Sequence, residues 1–233
     1  MSNTFAVKPQ DVSSDAGLQQ FLFQRMLMSN AFITLAVVTD VDDSGLMVTV
    51  RPLVEGFTGS GDRIPKTEIY GVPVWRLQRG ASALIMNPVI GDIGMIAICD
   101  RDISGVKATK DSALPGSNRT HNYADAIYLG GVLNAEPSQY VSFRDDGIDI
   151  VSPLTVTMTA PVVEVNASSS LTLNSAKIVL NGPVNQGAGS YAGDFNFKGN
   201  ITAQGEVTGK GIKLSTHTHP GVQKGSDNTG NPQ

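Results

Sequence analysis

Cysteine is nearly missing from this 233-residue chain: Cys99 stands alone, which excludes an intrachain disulfide framework and a thiolate zinc site supplied by one chain. Charge is scarce as well. Asp, Glu, Lys and Arg make up 16% of the residues, against about 25% in ordinary soluble domains. Lys+Arg 17 against Asp+Glu 21 leaves a net charge of −4, the wrong sign for a general nucleic-acid binder, whose phosphate contacts need a basic surface. No uninterrupted apolar run reaches the length of about 18 residues that a membrane-spanning helix requires. The opening MSNTFAVKPQDVSSD has neither a basic nor an apolar stretch, so it does not read as a secretory signal. Aromatic residues at 6% leave few platforms for stacking sugars or bases.

Glycine is plentiful, with 25 residues, and 40% of the chain is hydrophobic, enough for a core in one or two domains. Four segments differ in pattern. Residues 1–30 hold an extension and one helix, in which Leu18, Phe21, Leu22 and Met26 recur at helical spacing and Ser13 or Ser14 supplies the cap. That helix either packs on its own domain or docks on a partner. Residues 31–135 then read as about five strands with little helix between them. AFITLAVVTDV and GLMVTVRPLVEGF flank a hairpin loop, Asp42 to Gly45, whose glycine supplies positive φ; GVPVWRL, SALIMNPVIGDIGMIAICD and DAIYLGG follow. Such a series fits a small closed barrel of the OB type, making the fold class all-β.

From Tyr140 the composition changes again. Between residues 140 and 214 charges thin out, and Ser, Thr, Asn and Gly separate short apolar pairs: Ile148/Ile150, Val156/Met158, Val163/Val165, Leu171/Leu173 and Ile178/Leu180. Each pair puts two side chains on one strand face. A short fixed period of strand plus turn marks a β-solenoid or prism, in which a rung buries its apolar face only against neighbours. A unit with two inward residues makes one wall. Three chains would close a triangular β-helical prism without exposed edges, so an intertwined homotrimer is favoured over a single-chain solenoid. Strand direction across chains stays open.

Residues 215–233 carry the one motif with chemistry. His217 and His219 sit one residue apart, so in extended backbone both imidazoles leave the same face. Two ligands are too few for a structural site, but on a threefold axis they become six, an octahedral set that suits a divalent transition metal better than tetrahedral zinc. Pro220 and Gly221 favour a turn just after the pair. His121 lies in the loop RTHNYAD and reads as a solvated loop residue.

The tail THTHPGVQKGSDNTGNPQ, with its HxH, then G-V-Q and T-G-x-P, resembles the apex of the membrane-piercing central spikes of contractile phage tail baseplates. GDIGMIAICDRDIS similarly resembles their N-terminal OB-fold domain, in the short form of the family. The resemblance implies a homotrimer with an OB-fold base, a β-helical shaft and a pointed apex. It implies one iron ion per trimer held by His217 and His219 of three chains, although nickel or cobalt would suit the same donors. It implies location at the virion tail baseplate tip, docking of the N-terminal end on a trimeric hub protein, and transient contact with the host outer membrane and periplasm. Leu18, Phe21 and Leu22 are the candidate docking face. No enzyme activity, nucleic acid or small-molecule substrate is expected.

The alternative is a tailspike-type β-solenoid that binds or cleaves polysaccharide. It would need two facing carboxylates about 5 to 10 Å apart, whereas Glu164, Asp194 and Glu206 lie on separate rungs and Asp145–Asp146 sit in a turn. Trp75 with Arg76 and Arg79 is a meagre basis for single-strand binding. Trp75 reads as barrel core or as a subunit contact. Cys99 reads as a buried small hydrophobe, and Asp42, Asp43, Asp100 and Asp102 as solvated turn residues.

Overall fold

The computed structural model describes residues 14–58, 60–187, 189–191, 193–221, 223 and 225. The chain divides into two compact units, Met1–Thr159 and Ala160–Gln233. In the first, helix α1 (Asp15–Ser29) precedes β1 (Ile33–Val41), β2 (Met47–Pro52), β3 (Gly56–Phe57), β4 (Arg63–Ile64), β5 (Ile69–Pro73), β6 (Leu77–Arg79), β7 (Ser82–Leu84) and β8 (Ile93–Ile98). A short helix α2 (Ser104–Thr109) and a 3-10 turn (Tyr123–Asp125) lead to β9 (Ala126–Gly131), and a hairpin of β10 (Tyr140–Arg144) and β11 (Gly147–Val151) follows. The second unit holds β12 (Thr208–Gly209) and β13 (Ile212–Lys213). The protein is mostly β, as the alternating apolar pattern predicts.

Five strands form one curled sheet in the order β5-β2-β1-β8-β9, each neighbour antiparallel. A parallel bridge between Val74 and Tyr128, with the Trp75 amide donating to the Tyr128 carbonyl at 2.8 Å, brings its two ends together. The core follows from strand alternation. Each strand sends two side chains inward: Ala36 and Val38, Val48 and Val50, Ile69 and Val72, Ile96 and Ile98, Ala126 and Tyr128. Four of these pairs are two residues apart, as a pleated strand requires. In β5 the spacing is three, because Gly71 has φ +62 and the register with β2 shifts between Val48 and Val50. An extra residue at positive φ is what a β-bulge needs, and glycine takes it without strain.

The hairpin loop between β1 and β2 forms as its residues suggest. Asp42 accepts from the Met47 amide at 2.9 Å and from the Ser44 hydroxyl at 2.6 Å, while Gly45 takes φ +64. These bonds to the ionised form hold the Asp42 carboxyl below its usual range, the Ser44 hydroxyl contributing most.

The segment between β8 and β9 is tied by ions rather than by apolar packing. Arg119 donates to Asp125 at 2.6 and 2.8 Å and to Asp102 at 2.7 Å. Asp125 also accepts from the Ile103 amide, and Asp102 from the Ser104 amide and the Ser117 hydroxyl. Asp102 is therefore buried, not solvated as its turn position suggested; the arginine and these N–H and O–H donors replace the water it gives up. His121 is likewise half-buried rather than a free loop residue. Its ring lies 4.7 Å from that of Phe32, and its backbone takes φ +45 while its carbonyl accepts from the Ala31 amide. Trp75 is exposed, which removes it from the core, since its backbone rather than its ring joins the closing edge. Cys99 is only half-buried, and desolvation raises its thiol pKa.

The two ends of the chain contrast with this core. No residue of α1 is buried. Ser14 caps it, accepting from the Gly17 amide at 3.1 Å, while Leu18, Leu22, Phe23 and Met26 are exposed. Contact of the helix with its own domain is confined to its last turn, where Met26 and Leu27 line a cavity with Phe32 and His121. From Pro153 onward every described residue is exposed, including both members of each of the four pairs from Val156/Met158 to Ile178/Leu180. Among the described residues no in-chain strand pairing occurs between Ser152 and Val207.

Candidate metal centre

The histidine pair follows a small hairpin. Lys210 and Gly211 have φ +50 and +80, and two successive residues at positive φ form the tight turn whose twist matches that of antiparallel strands. Thr208 pairs with Lys213 and Gly209 with Ile212, and the Leu214 amide donates to the Val207 carbonyl at 2.9 Å. One residue further on, a side chain takes over from the backbone. Glu206 Oε1 accepts from the Val207 and Ser215 amides at 3.1 and 3.2 Å, and Oε2 accepts from the Ser215 hydroxyl. The Ser215 hydroxyl contributes most to holding this carboxyl below its usual pKa.

Beyond Ser215 no in-chain strand pairing is present among the described residues, so the pair is not part of a hydrogen-bonded ladder of its own chain. The rings are neighbours all the same: the imidazoles of His217 and His219 lie 5.1 Å apart, edge to face at 80°. His217 Nδ1 is 2.9 Å from the Leu214 carbonyl. A carbonyl can only accept, so Nδ1 carries the hydrogen and Nε2 is left with the lone pair a metal would take. The expected turn is present, with Gly221 at φ +84. Thr229 to Pro232, the T-G-x-P part of the motif, lie outside the described residues.

Among the described residues no group of three or more His, Cys, Asp or Glu side chains comes together within the chain. One chain thus offers two imidazoles, with the Nδ1 hydrogen of His217 directed at the Leu214 carbonyl. These donors fit a transition ion only in combination with others. The sequence reading singled out the histidines but treated Glu206 as an isolated carboxylate. A Glu placed nine residues before a Ser, with Gly-Lys-Gly between them, was the available signal.

The GpV Apex motif matches residues 211–233, a span that begins at the second residue of the hairpin turn and takes in β13 and both histidines. The chain is also 33% identical over 117 residues to the spike protein of Escherichia phage P2, covering 47% of this chain and 54% of that protein. The resemblance to phage central spikes is thereby shown. The match spans about half the length of the P2 spike protein. In spike terms, His217 and His219 belong to the apex segment, whereas Leu18, Phe21 and Leu22 lie at the other end of the chain, in α1. Of these three, Phe21 is half-buried and the two leucines are exposed. The structure does not bring them to any other apolar surface among the buried residues.

Proposed function

We propose that this chain is one of three identical subunits of a non-enzymatic central spike at the tip of a contractile tail baseplate, driven apex first through the host outer membrane when the sheath contracts. One observation carries the reading: from Pro153 onward every described residue is exposed, and the exposed side chains include apolar pairs at strand spacing. Soluble proteins do not leave so many large apolar groups in water unless a partner covers them. Identical walls from three chains cover them by symmetry.

The strand order of the curled sheet, closed by a parallel bridge between its first and last members, supports an OB-type base. The uncovered α1, with Leu18, Phe21 and Leu22, is the proposed contact with a trimeric hub. At the other end, His217 and His219 of three copies would hold one ion. Iron is what the family resemblance implies, and nickel or cobalt suits the same donors. A bound ion would join three chain ends that otherwise fray, stabilising the folded assembly by mass action. Within each chain, the Leu214 carbonyl fixes the His217 tautomer and leaves Nε2 free to bind.

Native mass spectrometry with elemental analysis tests both parts. Three chains and one iron are expected. A monomer overturns the assembly, and His217→Ala protein that keeps full metal content overturns the site.

A further inference from the structure

We propose that Glu206 is a positioning residue for the histidine pair, acting through Ser215; this rests on the metal reading of His217 and His219 given above. Backbone pairing in the β12–β13 hairpin stops at Leu214. Nothing in the ladder would hold the next residue, and the chain from Ser215 to His219 has no strand of its own. Glu206 ends that freedom. Its two oxygens accept three hydrogen bonds, two of them from the backbone and hydroxyl of Ser215.

The consequence reaches His217 through geometry. Leu214 is fixed on one side by its amide bond to Val207, and Ser215 is fixed by Glu206. The Leu214 carbonyl therefore has a set direction when it accepts from His217 Nδ1. That bond decides which nitrogen is free and which way the ring faces. Glu206 is thus two hydrogen bonds removed from the ligand, a partner of its support rather than a ligand itself. Outer partners of this kind typically change metal affinity by about 10- to 100-fold when removed.

A glutamine at this position keeps a carbonyl oxygen for the two amides and an amide group for the Ser215 oxygen, so it preserves the connection without the charge. An alanine removes it. The test uses full-length protein stripped of metal, with Fe(II) added anaerobically against a chromophoric chelator and Co(II) absorption as a report on ligand geometry. Glu206→Ala is expected to weaken Fe(II) binding about 10- to 100-fold and to alter the Co(II) spectrum. Glu206→Gln is expected to stay close to wild type in both. Hydrogen exchange of metal-free protein gives an independent reading: amides 214–219 are expected to exchange faster in Glu206→Ala and at the wild-type rate in Glu206→Gln.

Equal Fe(II) affinity in wild type and Glu206→Ala overturns the proposal, as does a glutamine variant as weak as the alanine one. Loss of the native mass in Glu206→Ala overturns it too, because the residue would then serve general folding. Wild-type protein that takes up no ion refutes the metal reading itself, and the role of Glu206 toward a metal falls with it. That outcome is distinguishable, because a failure of Glu206 alone leaves wild-type binding intact.

Discussion

Replacing Leu173 by alanine tests whether the exposed apolar pairs meet copies of themselves. In the single chain Leu173 is 64% exposed, so about two thirds of its burial value, roughly 1–2 kcal/mol, can be realised only on association. Once buried, truncation to alanine costs more than the lost transfer energy, because a cavity remains; Leu→Ala in packed interiors costs about 2–5 kcal/mol. A homotrimer carries the change three times. If the three sites add, the loss is about 6–15 kcal/mol per assembly, comparable with the whole stability of an ordinary domain. Thr172 provides the control, since its neighbours on either side are the inward pair and its own side chain falls on the opposite face. Thr172→Ala should stay within about 0.5 kcal/mol of wild type. The assay is guanidinium unfolding with sedimentation velocity at several protein concentrations. Leu173→Ala should lower the midpoint sharply and dissociate at concentrations where Thr172→Ala remains assembled. Identical midpoints for the two variants would refute the reasoning, because Leu173 would then be as wet in the assembly as in the lone chain.

Three further predictions concern the curled sheet and the loop between β8 and β9. A Cβ on Gly94 would lie 2.3 Å from the ring of Tyr128, which is 2% exposed and has no room to withdraw; Gly94→Ala should cost about 1–3 kcal/mol or more in thermal unfolding. The Tyr128 hydroxyl is buried without a hydrogen-bond partner among the described residues, so Tyr128→Phe should leave the melting temperature unchanged or raise it, and a marked fall would mean that the hydroxyl is satisfied. Arg119→Ala strands Asp102 and Asp125, and should lower the melting temperature well beyond Arg144→Ala, whose partners Asp146 and Asp149 are exposed. In pH titration the sign follows from the carboxylates. Hydrogen bonds with Ser104, with help from Ser117 and Arg119, lower Asp102 to about 2, below the unfolded value of about 3.9. Its contribution is complete above pH about 4 and is lost as pH falls toward about 2. Asp125, also lowered, with Arg119 as the largest cause, acts in the same direction. The acid-induced loss should therefore shrink in Arg119→Ala.

The strands of the five-stranded sheet were legible because their inward residues alternate and their ends carry Gly, Asp or Pro. Val48 and Val50, or Ile96 and Ile98, announce a half-buried strand without help from elsewhere in the chain. The short α2 and the β3–β4 and β6–β7 hairpins were not, since neither six helical residues nor strands of two or three residues can establish a period. Burial of Asp102 was hidden for another reason. Its partner Arg119 lies 17 residues away, and nothing in either local pattern announces that the loop folds back. At the candidate metal centre, residue type singles out the histidines, whereas the bonds from Glu206 to Ser215, nine residues apart, appear only when the hairpin forms. The second unit inverted the usual relation. Its apolar pairs were plain in sequence, and the structure adds that the single chain has nowhere to put them.

That imbalance between the two units governs how the protein comes into being. The first has a closed core of its own and can reach its final form as soon as it leaves the ribosome, ahead of the rest. The second has no buried residue among those described, and for a chain that covers its apolar pairs only with its own copies, acquiring structure and finding companions are a single event. Its rate then depends on chain concentration, and its stability has no meaning apart from it. First units that fold ahead would hold the nascent second units in solution, and any association between first units would raise the local concentration of the segments that follow.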